Sequence, residues 1–275
     1  MSISELDTAV SVDKLVAENR RGWNYMASEH FETEFYAVES FKAGRNSLFG
    51  LETELLGDIS GKSLLHLQCH FGLDTMSFSR LGAKATGVDI SDVAIGKAKE
   101  LAAELELDTR FIRSTIFDVP NVLDEKFDIV FVSYGALVFM PDLDHWARIA
   151  ANFLKPGGRV CIVEIHPVLT LFDEVEGDLK LAYSLFHPGP EQMEVTATYA
   201  DGKAVTPHTE YFWRWNVGSL ATALLKAGLR IDDLRELPVD MRRRLPSMVQ
   251  GEDGWWRLPG DPLPLVVTYL ATKPE

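Results

Sequence analysis

Cysteine is scarce in this sequence, and long apolar runs are missing. Two cysteines, Cys69 and Cys161, are too few for a disulfide framework and fit a reducing compartment. No uncharged apolar run reaches the roughly 18 residues of a membrane-spanning helix. The first ten residues, MSISELDTAV, lack the basic-then-apolar pattern of a secretory signal. We therefore expect a cytoplasmic protein with no membrane partner.

Basic residues are outnumbered, and repeats and low-complexity tracts are absent. The 275 residues contain 27 Lys and Arg against 41 Asp and Glu, a formal net charge of −14 at pH 7. So acidic a chain repels phosphate backbones, which argues against nucleic acid as the main partner. The hydrophobic content of 46% is typical of a globular protein, and the length allows one large α/β domain or two small ones.

Short apolar strands alternate with amphipathic helices in the middle of the chain. This alternation predicts right-handed βαβ units and therefore a parallel sheet with helices on both faces. Ser91 is a predicted helix N-cap. The predicted strands are 63–67, 85–90, 109–115, 127–133 and 159–165, and the predicted helices are 73–82, 92–107 and 142–154.

The flanking segments complete a predicted single domain around a core at 61–165. We predict that residues 1–50 form an N-terminal helical cap. The alternation of strands and helices stops at residues 169–215, which we predict to be an inserted β-rich cap. Residues 216–275 form a helix and a β-hairpin, whose last strand returns without a crossover helix. We therefore predict an α/β, Rossmann-like sheet of seven mostly parallel strands with an antiparallel last strand.

The turn QCHFG at 68–72, after the first strand, is a candidate ligand site. Ligands of open parallel sheets bind at the carboxyl ends of the strands, and Gly72 allows close backbone approach. Asp89 ends the second predicted strand, where a carboxylate can accept hydrogen bonds from both ribose hydroxyls. Its alternative role is to cap the next helix, but the order strand, glycine, helix, strand, acid favours a ribose ligand.

Four segments together resemble the class I S-adenosylmethionine-dependent methyltransferases, and the flanks YFWRW and DGWWRLP resemble a bacterial small-molecule subgroup. The resemblance implies S-adenosylmethionine as cofactor and direct methyl transfer to a small-molecule acceptor. The four segments are LLHLQCHFG (64–72), TGVDIS (86–91), FDIVFVSYG (127–135) and LKPGGRV (154–160).

The first motif of that family, acidic-x-Gly-x-Gly-x-Gly, is altered here. Its key positions hold His66, Gln68, His70 and Gly72, so one glycine of three remains. We expect the Gln68 and His70 side chains to hydrogen-bond the methionine carboxylate or amine of the cofactor.

The family's adenine-binding acid is also replaced, by Thr115. The resemblance implies that Thr115 accepts from the adenine amine and that Ile116 offers its backbone N–H and an apolar wall. Asp118 is the nearby acidic alternative, and Ile90 and Ser133 complete the expected cofactor contacts.

The fourth and fifth strands of this family end near the transferred methyl group, which nominates Tyr134, Glu164 and His166 as catalytic residues. Glu164 and His166 are two residues apart and share a face if the strand persists, so they form a candidate base and its orienting partner. Alternatively, Glu164 makes a structural salt bridge and His166 only ends the strand. His187 and His208 of the insertion are weaker candidates.

Aromatic residues outside the periodic segments are candidates for the acceptor pocket. Trp23, Tyr36, Trp213 and Trp255 are the predicted substrate-binding residues, with ordinary packing as the alternative. The run Arg242–Arg244 is either a solvated basic turn or a site for a carboxylate on the acceptor.

Two other functions stay open at this point. A nicotinamide-dependent oxidoreductase predicts G-x-G-x-x-G after the first strand, which this sequence lacks, and a non-catalytic S-adenosylmethionine-binding protein is the other. We expect no metal site, because His66, Cys69 and His70 have no second Cys/His pair to complete a ligand set.

Overall fold

The computed structural model describes residues 11–186 and 189–275, so MSISELDTAV and His187 lie outside the described residues. The helices are α1 (Val12–Phe31), α2 (Val38–Lys42), α3 (Leu51–Leu56), α4 (Leu73–Arg80), α5 (Asp92–Glu104), α6 (Val119–Val122), α7 (Leu143–Phe153) and α8 (Val217–Lys226). The strands are β1 (Ser63–Leu67), β2 (Lys84–Asp89), β3 (Arg110–Arg113), β4 (Phe127–Ser133), β5 (Leu154–Ile165), β6 (Phe172–Val175), β7 (Asp178–Leu181), β8 (Glu191–Ala197), β9 (Ala204–Phe212), β10 (Arg230–Leu237), β11 (Val249–Gln250), β12 (Trp256–Arg257) and β13 (Val266–Thr272).

Seven of these strands form one sheet in the order β10-β13-β5-β4-β1-β2-β3. The last strand, β13, runs antiparallel to both of its neighbours, and the other neighbouring pairs of this sheet are parallel. The predicted seven-stranded sheet with a reversed last strand is therefore confirmed. A long connection, residues 238–265, joins β10 to β13 and contains the small β11–β12 pair.

Both faces of the sheet are buried, because successive residues of its central strands enter two different hydrophobic clusters. In β4, Val130 and Val132 pack in the cluster that includes α7 and α8. The alternate residues Ile129 and Phe131 pack in the cluster that includes α3 and α4. This period of two explains why the strands read as continuous apolar runs in the sequence.

Local signals placed several element ends correctly. The Ser91 Oγ accepts a hydrogen bond from the Ala94 N–H at 3.0 Å, which confirms the predicted cap of α5. The predicted start of the fifth strand at 159 is wrong, because β5 begins at Leu154. Leu154 pairs with Phe127 of β4, and the register shifts after this pair.

The N-terminal segment and the insertion contact each other above the sheet. The Asn19 side chain of α1 donates to the Tyr211 carbonyl of β9 at 2.6 Å and accepts from the Tyr211 N–H at 2.7 Å. Arg20 of α1 also forms an exposed ion pair with Asp92 of α5. The insertion consists of two hairpins, β6–β7 and β8–β9, in the region predicted as β-rich.

Gly72 precedes α4 and has the left-handed backbone angle φ +77°. A Cβ at this position would lie 2.3 Å from the Phe111 ring of β3, far inside van der Waals contact. Packing of the turn against the sheet therefore requires glycine here, whether or not a ligand is bound.

The Gly72→Ala variant should lower the free energy of unfolding by roughly 2–4 kcal/mol, through backbone strain and the collision with Phe111. Gly96→Ala is the matched control, because a Cβ at Gly96 in α5 meets only open space. That control should raise the free energy of unfolding by about 0.5–1 kcal/mol. Urea denaturation of the three proteins measures both values, and equal stability of Gly72→Ala and wild type would contradict the packing argument.

Candidate active site

A cavity of about 750 Å³ opens at the carboxyl ends of the central strands. The strand β1 lies between β2 and β4, so the chain turns to opposite sides of the sheet at this point. Crevices at such a switch in strand order are where open α/β sheets bind ligands. The N-terminal segment, the insertion and the 238–265 connection all contribute residues to the cavity wall.

The turn after β1 has a left-handed backbone at each of the three positions that are glycine in the family motif. The φ angles are +60° at Gln68, +52° at His70 and +77° at Gly72. A non-glycine residue in this region costs roughly 1–2 kcal/mol. The chain therefore retains the backbone shape of a glycine-rich turn although two of its glycines are replaced.

The Gln68 and His70 side chains are held differently. The Gln68 amide donates to the Ala136 carbonyl at 2.6 Å, while its Oε1 is buried with no hydrogen-bond partner among the described residues. The His70 ring packs edge-on against Trp23 and near Tyr36. Burial lowers the pKa of His70, so its imidazole is neutral. Gln68 thus presents a free acceptor atom in a residue that lines the cavity.

His66 occupies the position where the family motif has an acid. Its Nδ1 lies 2.9 Å from Thr75 Oγ1, and its Nε2 lies 3.4 Å from Ser133 Oγ. Burial lowers the pKa of His66 to about 3, which keeps the ring uncharged at neutral pH. Both His66 and Ser133 line the cavity, and they offer hydrogen bonds there but no negative charge.

The Asp89 carboxylate joins the ends of two strands. Its Oδ2 accepts from the His70 N–H and its Oδ1 from the Ser91 N–H, each at 2.8 Å. Asp89 and Ile90 also line the cavity, so the carboxylate holds the N-cap residue Ser91 and borders the ligand space at the same time. Each carboxylate oxygen keeps further acceptor capacity. Burial raises the pKa of Asp89 to about 6.

The residues proposed for adenine binding divide into two groups. Thr115 and Ile116 line the cavity, whereas Asp118 does not. The Asp118 carboxylate instead accepts from the Thr115 hydroxyl at 2.7 Å, and the Thr115 Oγ1 accepts from the Asp118 N–H at 3.1 Å. Asp118 therefore orients Thr115 from outside the cavity.

Glu164 does not have the free carboxylate of a general base. Its Oε1 accepts from the Ala136 and Leu137 N–H groups, each at 2.8 Å. Its Oε2 accepts from Gly135 at 2.5 Å and from Ile165 at 2.9 Å. Four backbone donors occupy the acceptor sites of this carboxylate, so no lone pair remains for an acceptor proton. The alternative role, a structural salt bridge, is also absent among the described residues, because backbone N–H groups bind the carboxylate instead.

His166 lies outside the cavity and does not pair with Glu164. Its Nε2 lies 2.7 Å from a Glu236 carboxylate oxygen of β10, and its Nδ1 accepts from the Val168 N–H at 3.1 Å. Both ring nitrogens are therefore engaged away from the site, because the chain leaves the sheet after Ile165. His208 likewise does not line the cavity.

Tyr134 lines the cavity just past the end of β4, in a backbone conformation with φ +33°. Its N–H donates to the Val163 carbonyl of β5 at 2.7 Å. Burial, and then the neighbouring Glu52, raises the pKa of the phenol well above its ordinary value. The phenol is therefore a protonated donor group.

The four aromatic residues expected at the acceptor pocket are not all there. Trp23 and Tyr36 line the cavity, while Trp213 and Trp255 do not. Trp213 is buried, and its backbone N–H donates to the Val138 carbonyl. Trp255 packs on Phe49. The prediction for Trp213 and Trp255 depends on their location outside the periodic segments, and that location does not show the direction of a side chain.

Several cavity residues were not predicted individually. They come from the irregular parts of the chain, where no periodic pattern indicates which side chain points inward. Among them are Phe139, Tyr183, Tyr199 and Phe212.

Within residues 11–186 and 189–275, no group of three or more His, Cys, Asp or Glu side chains is arranged to hold a metal ion. Cys69 and Cys161 are buried free thiols. In the same described ranges, no helix is both long and apolar enough to cross a bilayer.

The strand order and the cavity at the ends of β1 and β2 define the class I methyltransferase fold. Residues 64–158 match the family described as a methyltransferase domain. The chain therefore has the fold of the class I methyltransferases, and this part of it is similar to a methyltransferase domain.

Curated relatives match less than half of the chain. The ubiquinone biosynthesis O-methyltransferase of Alkalilimnicola ehrlichii is 30% identical over 107 residues, which is 39% of this chain and 43% of that protein. The enzyme of the same name from Aeromonas salmonicida is 29% identical over 114 residues, 42% of this chain and 48% of that protein. The chain thus spans less than half the length of the curated relatives it matches.

Solved structures match nearly the whole chain. An S-adenosylmethionine-dependent methyltransferase from Mesorhizobium loti has a TM-score of 0.57 at 18% identity, covering 84% of this chain and 99% of its own. The CcbJ methyltransferase from Streptomyces caelestis has a TM-score of 0.60 at 15% identity, covering 94% and 99%. At these identities the likeness shows a shared fold.

Glu52 of α3 is a buried carboxyl behind the site. Its Oε2 accepts from the Phe49 N–H at 3.1 Å, and its Oε1 has no partner among the described residues. Burial, and then the charge of Asp74, raises the pKa of Glu52 to about 7. The folded protein therefore favours the protonated form more than the unfolded chain does.

This raised pKa predicts a pH-dependent loss of stability. The Glu52 contribution is fully present below the unfolded-state pKa of 4.5 and is lost as the pH rises through about 7. Relative to Glu52→Gln, the wild type should lose about 3 kcal/mol of unfolding free energy across this window. Urea titrations between pH 4.5 and 7.5 measure the difference. Glu54→Gln, at an exposed position of the same helix, should show the wild-type slope.

Proposed function

We propose that this chain is an S-adenosylmethionine-dependent methyltransferase that acts on a small-molecule acceptor in the cytoplasm, producing S-adenosylhomocysteine. The observation that carries the proposal is Asp89, a carboxylate at the end of β2 that lines the cavity beside a left-handed turn after β1. The two buried free thiols support a reducing compartment.

The residues present suit a sulfonium nucleoside. Asp89 would accept hydrogen bonds from the ribose hydroxyls, and Ile90 and Ile116 would form apolar walls for adenine, with Thr115 at its amine. The unpartnered Oε1 of Gln68 is an acceptor for the ammonium group of the methionine part. Gln68 would thus do with a side chain what a backbone contact does in a glycine-rich turn.

When bound, the cofactor would supply a methyl group on a sulfonium sulfur, activated for displacement by an acceptor lone pair with S-adenosylhomocysteine as the leaving group. The main task of this chain's residues would then be alignment. Holding the reacting atoms roughly 3–3.5 Å apart can contribute about 7–11 kcal/mol. Trp23 and Tyr36 cover the cavity and would exclude water from it.

We assign different roles to the three residues first nominated as catalytic. Glu164 would shape the turn after β4, because its oxygens are bound by four backbone N–H groups. Tyr134 would offer a protonated phenol to the acceptor or cofactor, and His166 would only anchor the end of β5. None of the three is then a general base.

Ligand binding tests the cofactor class. Calorimetry should detect binding of S-adenosylhomocysteine and no binding of NADH. Incubation with methyl-labelled S-adenosylmethionine and a panel of small acceptors should then transfer label. Binding of NADH alone would refute the proposal, and cofactor binding without transfer to any acceptor would favour a non-catalytic protein.

The Asp89→Ala variant should weaken S-adenosylhomocysteine binding by roughly 1–3 kcal/mol, because the ribose hydroxyls lose a charged acceptor. Asp124→Ala, at an exposed position, is the control and should bind like the wild type. Thermal denaturation confirms that both variants are folded. Unchanged affinity in a folded Asp89→Ala protein would remove the ribose role.

A further inference from the structure

The three consecutive arginines at 242–244 do not behave as one basic turn. Arg242 and Arg244 line the cavity, whereas Arg243 is exposed and points the other way. The Arg243 side chain donates to the Pro246 carbonyl, and its guanidinium lies 5.8 Å from the Trp256 ring centroid. The loop between β10 and β13 therefore directs alternate arginines inward.

One carboxylate serves both inward arginines. Asp240 is fully buried, and its Oδ2 accepts from Arg244 Nε at 2.5 Å. Its Oδ1 accepts only the backbone N–H of Arg242, at 3.1 Å. Within the described ranges, the Arg242 guanidinium has no carboxylate within ion-pair distance, and Arg244 Nη2 is buried without a hydrogen-bond partner. One of the two positive charges is therefore uncompensated.

Arg242 is held in place by neutral groups. Its Nη1 donates to the Tyr199 carbonyl at 3.1 Å, and its guanidinium lies 4.8 Å from the Tyr199 ring centroid. The Tyr199 hydroxyl in turn hydrogen-bonds the Tyr36 hydroxyl of the N-terminal segment. These contacts fix the direction of the cation without cancelling its charge. A partly buried cation is costly unless an anion pairs with it.

The other charged groups of the cavity wall do not compete for this role. Arg214 is paired with Glu191, and Arg45 is exposed and donates to the Tyr36 carbonyl. The carboxylates of Asp89 and Glu164 are bound by backbone N–H groups. Of the remaining acids, Asp74 accepts from the Ser47 hydroxyl, Glu210 lies 3.4 Å from His208, and Asp173 is exposed. Much of the remaining wall is apolar or aromatic, including Val138, Phe139, Met140, Val195, Phe212 and Trp215. The cavity thus combines a largely apolar interior with a partly buried, positively charged corner at Arg242 and Arg244.

We propose that Arg242 and Arg244 bind a carboxylate of the methyl acceptor, so that the acceptor is a small organic acid with a largely apolar body. This inference rests on the proposed methyltransferase function. The same chemistry could bind the carboxylate of the cofactor. The residues placed for the cofactor, from His66 to Ser133, lie within the matched methyltransferase domain, whereas both arginines lie outside it, which favours the acceptor.

The test compares Arg242→Gln and Arg244→Gln with Arg243→Gln as the matched control. The probes are benzoate, phenylacetate and 3-phenylpropionate, each against its primary amide, in the presence of saturating S-adenosylhomocysteine. Calorimetry should show that the wild type prefers at least one acid over its amide by roughly 10- to 100-fold. Arg242→Gln should lose this preference, and Arg243→Gln should keep it. Arg242→Gln is the decisive variant, because it leaves the Arg244–Asp240 ion pair intact.

Several results would overturn the proposal. One is a wild type with no preference for any acid, and another is an equal loss in Arg243→Gln and Arg242→Gln. A separate experiment measures the affinity of each variant for S-adenosylhomocysteine and for 5′-methylthioadenosine, which lacks the carboxylate. If Arg242→Gln weakens only the former, the arginine binds the cofactor and not the acceptor. A wild type that does not bind S-adenosylhomocysteine would refute the methyltransferase function instead. In that case the comparison of acids with amides, made without S-adenosylhomocysteine, still tests the role of the arginines.

Discussion

The Asp89 carboxylate is the contact on which the geometry of this site depends. It lies at the end of β2 and accepts the N–H of His70, so it ties the turn after β1 to the neighbouring strand. Its second oxygen accepts the Ser91 N–H at the start of α5. One buried acid therefore fixes two loops and a helix start, while the same carboxylate faces the cavity. Burial raises its pKa, and the two backbone donors oppose that effect.

Glu164 repeats this arrangement on the other side of β1. It binds the three successive N–H groups of Gly135, Ala136 and Leu137, and so ties the turn after β4 to β5. The Gln68 amide then joins the two turns through the Ala136 carbonyl. The floor of the cavity is thus a connected set of hydrogen bonds between loops. Such a network holds groups in place better than flexible loops would, which is what alignment of two reactants requires.

The opposite wall of the cavity, its roof, is held by aromatic and cation–π contacts. Side chains from three separate segments meet there: the His30 ring contacts the rings of Tyr36 and Tyr199, and the Arg242 guanidinium lies over the Tyr199 ring. These segments lie outside the matched domain, which ends at residue 158. Under the proposed function, such a separation of floor and roof would allow one cofactor chemistry to be combined with different acceptors.

The sequence alone determined the sheet and the edge of the sheet at which the cavity opens. Apolar strands between amphipathic helices follow directly from the burial of both sheet faces, and the absence of a crossover helix before the last strand required that strand to turn back. The same periodicity placed Asp89 and Gly72 at the carboxyl edge, because a residue that ends a parallel strand must lie there.

Only the tertiary structure decided which side chains face the cavity. Glu164 and His166 are two residues apart, yet one turns to backbone donors and the other to Glu236, because the strand ends between them. Arg242 and Arg244 point inward while Arg243 points outward, which depends on Asp240 in a loop without periodicity. Strand and helix periods transmit direction along the chain, whereas an irregular loop takes its side-chain directions from contacts with distant residues.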